Sequence, residues 1–245
     1  MSRKNQRNEI LYRVSAYLCS IFLCADALAE QASQPPVIEP PSCCVASSRT
    51  AAVPMNLFAE KLAWKFADVT AWQWSDDLGG TLALTKQNDY KPPFRSPTNL
   101  AWFATREWSS FKLTLECQLN AFDEGNNDLC IAFGGNGADQ FYYVHLGEKA
   151  DAAHHQIHIV NKADRSPITT WRNAGTPWKK DTWHQVKVIR NAATGDIGVW
   201  FDQDTTPALT ARDKSLSWGL IALGSFDDKG RFRKVRIQGA SREKK

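Results

Sequence analysis

Between Phe111 and Leu119 apolar and polar side chains alternate, with Phe111, Leu113, Leu115, Cys117 and Leu119 set against Lys112, Thr114, Glu116 and Gln118. A period of two sends the two sets to opposite faces of a strand, so the segment reads as a half-buried β-strand. The loop AFDEGNN (121–127) leads into Leu129, Ile131 and Phe133, with Asp128, Cys130 and Ala132 on the other face. These two segments are expected to form a hairpin. In FYYVHLG the alternation assigns Tyr142, Val144 and Leu146 to the core and Phe141, Tyr143 and His145 to the opposite face. In QIHIV, Ile157 and Ile159 join the core while Gln156, His158 and Val160 face away. Further strands are read at 183–190, 196–202, 219–226 and 232–239, joined by turn-forming stretches at 193–196 and 227–230. Many short strands with no helical stretch between them predict an all-β, two-sheet antiparallel sandwich over residues 54–240.

Composition agrees with strands. Ten Trp, twelve Phe and five Tyr stand beside two Met, and 43% of the 245 residues are hydrophobic, enough for a core. The long apolar run lies at 14–24, behind Arg3, Lys4, Arg7 and Arg13 and ahead of Ala27-Leu28-Ala29. That order reads as a signal peptide over 1–29, cleaved after Ala29, and its apolar part is short of the ~20 residues that span a bilayer. A secreted or periplasmic protein without stable membrane insertion is expected. Cys19 and Cys24 each follow Leu rather than a small residue, against a lipid anchor. Residues 30–53, rich in Pro, Ser and Ala, read as a flexible linker, and 241–245 as a basic tail. Half of the formal charge of +4 sits on residues 1–29, so what remains is too small for a nucleic-acid partner.

Past that leader stand Cys43, Cys44, Cys117 and Cys130. They form no CxxC pair and have no histidine at ligand spacing, so no metal and no cofactor are expected. Parity points Cys117 inward and Cys130 outward, which predicts free thiols at both. The vicinal Cys43 and Cys44 could stay reduced or join another chain. No Ser-His-Asp string, phosphate loop or dinucleotide fingerprint occurs, which removes nucleophilic hydrolases, kinases and dehydrogenases.

The stretch WHQVKVIRNAATGDIGVWFD (183–202) is a Trp-His strand closed by Arg190, a turn, and a second strand ending at Asp202. It resembles laminin-G-like and other concanavalin A-like sandwiches. Together with the segments 81–97, 139–165 and 216–232, the chain from Trp64 to Gly239 is similar to exported bacterial proteins related to the 3-keto-disaccharide hydrolase domain family. The resemblance implies a jelly roll of two antiparallel sheets and a concave face that in many relatives binds or cleaves glycans. It implies no single activity, because this fold serves lectins, glucanases, lyases and interaction domains. Two departures stand out. The family's Asn-Ser-Gly strand is replaced by Asn127-Asp128-Leu129-Cys130-Ile131-Ala132-Phe133, and its last strand, a calcium-ligand source in relatives, reads Phe232-Arg233-Lys234-Val235 here.

Parity collects Asp128, Tyr143, His145, Gln156 and His158 on the non-core face, with Arg95 brought to its edge by the loop KPPFRSP. These six are the candidate glycan-binding residues, although any solvent-facing strand must be polar. His145, Asp128 and Glu116 are the catalytic candidates. An inverting pair needs carboxyls ~6.5–9.5 Å apart. Glu116 and Asp128 would lie at ~8 Å if Glu116 opposes Cys130 and at ~14 Å if it opposes Ala132. The retaining pattern Glu-x-Asp-x-x-Glu is absent. Elimination next to a carbonyl would instead use Tyr143, His145, His158 and Arg95. Trp102, Trp171 and Trp178 are the sugar-stacking candidates, while Trp72, Trp74, Trp183 and Trp218 are assigned to structure. His154 and His155 are expected in solvent and His184 packed. The leading expectation is an exported carbohydrate-binding sandwich; a glycan-cleaving enzyme and a laminin-G-type interaction module are the alternatives.

Overall fold

The computed structural model describes residues 34–42, 53–120 and 126–244. Its strands are β1 (Met55–Asn56), β2 (Trp64–Phe66), β3 (Trp72–Ser75), β4 (Thr81–Leu84), β5 (Asn99–Leu119), β6 (Asp128–Phe133), β7 (Gln140–Gly147) and β8 (Gln156–Asn161). They continue as β9 (Ser166–Pro167), β10 (Thr169–Arg172), β11 (His184–Arg190), β12 (Asp196–Phe201), β13 (Leu209–Arg212), β14 (Gly219–Ser225) and β15 (Gly230–Glu243). Helical structure among the described residues is confined to short 3₁₀ turns such as Leu57–Ala59.

Every pairing is antiparallel, and β5 belongs to both sheets. Its start, Asn99–Phe103, pairs with β14 on one edge and β2 on the other, and the front sheet continues β14-β6-β7-β8-β9. Its second half, Phe111–Cys117, runs between β11 and β15, and the back sheet continues through β12, β13 and β10 on one side and β4 and β3 on the other. The core lies between these layers. Leu129, Ile131, Phe133, Tyr142, Val144 and Leu146 come from the front sheet, and Leu113, Leu115, Cys117, Val186, Val188 and Val199 from the back. Those within 113–117 and 129–146 are the positions that alternation assigns inward.

Three expectations are corrected. The segments 111–119 and 128–133 are not hairpin partners: β6 pairs with β14 and β7, while the matching half of β5 lies in the other sheet. A strand of 21 residues spends its length crossing from one sheet to the other, which a short-turn reading does not anticipate. The chain remains in the sheet past position 240, because Ser241, Arg242 and Glu243 pair with Trp108, Glu107 and Arg106. Arg242 also bonds Glu107 at 2.7 Å and lies over the Trp218 ring, so this basic residue is tied to the sandwich. Within the stretch read as linker, residues 34–42 contain no strand, yet Pro41 is buried and Ile38 lies against Gly198 of β12. The expected signal peptide and Cys43-Cys44 lie outside the described residues.

Arg190 ends β11 inside the sandwich at 1% exposure. Its guanidinium donates to the carbonyls of Gly195 at 2.7 Å, Asp213 at 2.8 Å and Leu216 at 3.1 Å, and it lies 5.0 Å from the Tyr142 ring of the front sheet. One cation therefore satisfies three carbonyls of the loops that close the end of the fold. Arg190→Leu should cost about 3 kcal/mol or more, since it removes the guanidinium from the Asp213 and Leu216 carbonyls and leaves the Gly195 carbonyl only the Asp213 N–H. Urea unfolding measures this, and a loss below about 1 kcal/mol would mean that water replaces the guanidinium.

Candidate functional site

The register of β6, β7 and β8 sets Cys130 opposite His145, Ala132 opposite Tyr143, His145 opposite Gln156 and Tyr143 opposite His158. Asp128, Tyr143, His145, Gln156 and His158 therefore share the face turned away from the core, as alternation predicts. That face is not open to solvent. Tyr143 is fully buried, His145 and His158 are 1% exposed, Asp128 2% and Gln156 6%. The loops cover them: Phe226 packs on Tyr143 and His145, and Phe94 packs on the same cluster. The loop 151–155 is pinned to the face because the Gln156 amide donates to the Asp151 carbonyl at 3.0 Å and His145 Nδ1 meets the Ala153 carbonyl at 3.0 Å.

Within the cluster, His145 Nε2 lies 2.8 Å from Asp128 Oδ2. The Tyr143 and His158 rings stack at 4.9 Å and 11°. Burial, with the Arg165 cation adding to it, pushes the His158 imidazole down to about 3, and burial also holds the Tyr143 phenol well above its usual value. Both are therefore neutral near pH 7. The cation beside them is Arg165, which donates to the Tyr143 hydroxyl at 3.1 Å and lies 4.6 Å from the Phe226 ring. Arg95, the expected cation, is exposed and joins through its backbone: its N–H donates to Asp164 and its carbonyl accepts from Arg165. Those bonds fix the loop with Arg165 inward. The sequence signal for Arg165 was its place just after β8.

Glu116 is separated from Asp128 altogether. It sits on the back sheet opposite Gln185 and Arg233, and Arg233 at 2.5 Å and Lys234 at 2.7 Å hold its carboxylate. Burial opposes its charge, but the bonds from Lys234 and Arg233 outweigh burial and keep its carboxyl below the usual range. Neither register considered for a Glu116–Asp128 pair exists. Trp178 is also reassigned, because it is buried and donates to the Leu146 carbonyl at 2.9 Å. His184 is packed as expected, stacked on Phe201 with Nδ1 2.9 Å from Asp202. His155 is fully buried, with Nε2 2.6 Å from Asn173 Oδ1. Cys117 and Cys130 are free thiols.

Farther along the same front face an open pocket of about 240 Å³ remains, formed by Leu100 and Trp102 of β5, Phe141 of β7, Tyr90 and Pro92 of the covering loop, and Lys65 of β2. Trp102 meets Phe141 edge-on at 5.4 Å, and Phe141 lies 6.3 Å from Tyr143, so aromatic contact runs from the pocket to the buried cluster. A concavity of about 450 Å³ lies on the back sheet among Lys112, Glu116, Gln185, Lys187, Asp202 and Lys234, with no aromatic ring in its described walls.

No family model matches the sequence, and comparison with curated proteins gives no match either. Solved structures do match. The carbohydrate-binding module CBM66 from Bacillus subtilis aligns with a TM-score of 0.51 at 16% identity, over 72% of this chain and 96% of its own. Lectin I-B4 from Griffonia simplicifolia, in its metal-free form, aligns with a TM-score of 0.50 at 12% identity, over 78% of this chain and 100% of its own. The fold is a concanavalin A-like β-sandwich. At these identities the likeness concerns the backbone, so the chemistry of this concanavalin A-like sandwich rests on its own side chains.

Burial of His155 gives the sandwich an acid-sensitive point. Burial pushes its imidazole down from 6.5 to about 4, with Arg172 acting the same way against the bond to Asn173. The unfolded chain binds that proton near pH 6.5 and the folded chain only near pH 4. The stabilisation is therefore complete above about pH 6.5 and is lost on acidification at about 1.4 kcal/mol per pH unit down to about pH 4. His155→Asn, which tolerates the φ of 51° at this position, should remove that part of the slope. Denaturant unfolding at pH 7, 6 and 5 compares the two proteins, and identical slopes would contradict the assignment.

Proposed function

We propose that this protein is an exported carbohydrate-binding module that holds a sugar ring in the aromatic pocket of Trp102, Phe141 and Tyr90. The observation that carries this is where the front face is open: the polar cluster is sealed, whereas the aromatic end is an open pocket. Sugar C–H groups pack on aromatic faces, and Lys65 at the rim can donate to hydroxyls. At about 240 Å³ the pocket is smaller than the ~300 Å³ at which drug-sized sites begin, which fits one ring better than an extended chain. The printed descriptions of CBM66 and lectin I-B4, a carbohydrate-binding module and a lectin, support the same ligand class. The leader features at 1–29 support export, and among the described residues no helix is long and apolar enough to cross a membrane. Binding is favoured over cleavage because Glu116 is held by two cations, and His145 and Asp128 are buried away from the pocket.

A glycan array followed by calorimetry on the best ligand tests this. Trp102→Ala and Tyr90→Ala should each weaken binding about tenfold or more, roughly 1.4 kcal/mol, while Lys187→Ala on the back sheet leaves it unchanged. Loss of affinity in Lys187→Ala alone would move the site to the back sheet. Release of new reducing ends would favour the enzyme reading, and capture of protein without any glycan binding the interaction-module reading.

A further inference from the structure

We infer that Asp128, Cys130 and His145 form a binding site for a divalent transition metal of the zinc type beneath the covering loops. The topology assembles it from two strands. Asp128 and Cys130, two residues apart on β6, point the same way, and His145 stands directly opposite Cys130 on β7. Their ligand atoms all lie within 4.8 Å of one another, and all three side chains are buried. Local sequence spacing could not show this, because the third donor arrives through cross-strand register.

The histidine is oriented as a ligand. Nδ1 faces the Ala153 carbonyl at 3.0 Å, an obligate acceptor, so Nδ1 carries the proton and Nε2 presents its lone pair to the cluster. A carbonyl on the far nitrogen is the usual outer support of a metal-binding histidine. Nε2 then lies 2.8 Å from Asp128 Oδ2 with no proton between the two acceptors, so the contact makes no hydrogen bond and Nε2 is left buried without a partner. An unpaired buried polar atom is costly. Two ligands of one tetrahedral ion, each ~2.1 Å from it, sit ~3.4 Å from each other with their lone pairs converging on the ion, so His145 and Asp128 need to part by only about half an ångström to admit one. On the other side of the carboxylate, Cys130 Sγ is 3.8 Å from Asp128 Oδ1, against ~3.6 Å for sulfur and oxygen on a tetrahedral ion.

The surroundings support the carboxylate. Ser225 Oγ donates to Asp128 Oδ1 at 3.3 Å, and the Asp128 N–H donates to Asp228 Oδ2 at 2.6 Å. Asp227 and Asp228 cluster with Asp128 and lead from it to the exposed edge, a path by which a cation can enter. One nitrogen, one thiolate sulfur and one carboxylate oxygen select a borderline ion such as Zn²⁺ or Co²⁺ over Ca²⁺, which takes oxygen alone. Coordination replaces the thiol proton, which leaves to solvent. The ion would cross-link β6 to β7 beside the pinned 151–155 loop.

The test is Co²⁺ titration of the full chain after EDTA treatment, read by visible ligand-field bands and near-ultraviolet thiolate-to-cobalt charge transfer. One equivalent should bind, Zn²⁺ should displace it, and Zn²⁺ should raise the melting temperature relative to EDTA. Cys130→Ser, close in size, should abolish the charge-transfer band, and His145→Gln should weaken binding at least tenfold. Cys117→Ser and the double Cys43→Ser, Cys44→Ser variant should keep the band. Binding well below one equivalent in the unmodified protein, or a band that survives Cys130→Ser, overturns the proposal. Trp102→Ala should retain the metal whatever it does to sugar binding, so failure of one reading is distinct from failure of the other.

Discussion

The architecture depends on the hydrogen-bond ladder of β5. Over Asn99–Phe103 its two edges bond β2 and β14, and over Phe111–Cys117 they bond β11 and β15. A central strand shared by two sheets fixes the stagger of both at once, and a one-residue slip would turn its core face to the opposite side. The core then follows, because Ala101 and Phe103 in one sheet and Leu113, Leu115 and Cys117 in the other must meet the same interior. Arg190 closes the far end of that interior by bonding three loop carbonyls.

The front sheet is buried on both faces where β6, β7 and β14 run side by side, since the 88–98 and 151–155 loops and Phe226 lie over it. Such a double-covered sheet must satisfy every polar group it buries. Most of the satisfaction is local, through Arg165 on Tyr143, the Asp151 carbonyl on Gln156 and the Ala153 carbonyl on His145. His145 Nε2 and His158 Nδ1 are left without hydrogen-bond partners. An unpaired polar atom in an otherwise well-satisfied layer calls for a partner that the protein side chains do not supply, a water, an ion or a ligand atom.

Inward and outward positions were legible in the sequence because the strand period is fixed by geometry alone. Tyr142, Val144 and Leu146 against Tyr143 and His145 is an assignment that needs no tertiary knowledge. What period cannot report is which strands are neighbours. The hairpin expected for 111–119 and 128–133 failed for that reason, and the Glu116–Asp128 pair failed with it. Nor can alternation distinguish an outer face open to water from one under a loop: a polar position facing a lid looks the same as one facing solvent. Arg165 was missed and Arg95 chosen because the selection of one guanidinium depends on the 95–165 backbone bonds, which are long-range in sequence.

Ile38 rests against Gly198, whose missing side chain leaves room beside Trp200, while the neighbouring Ile197 and Val199 point into the core. The incoming segment therefore crosses the outside of the back sheet, on the side of the molecule opposite Trp102 and Phe141. Residues 37–42 therefore lie clear of the aromatic mouth, which takes none of its walls from them.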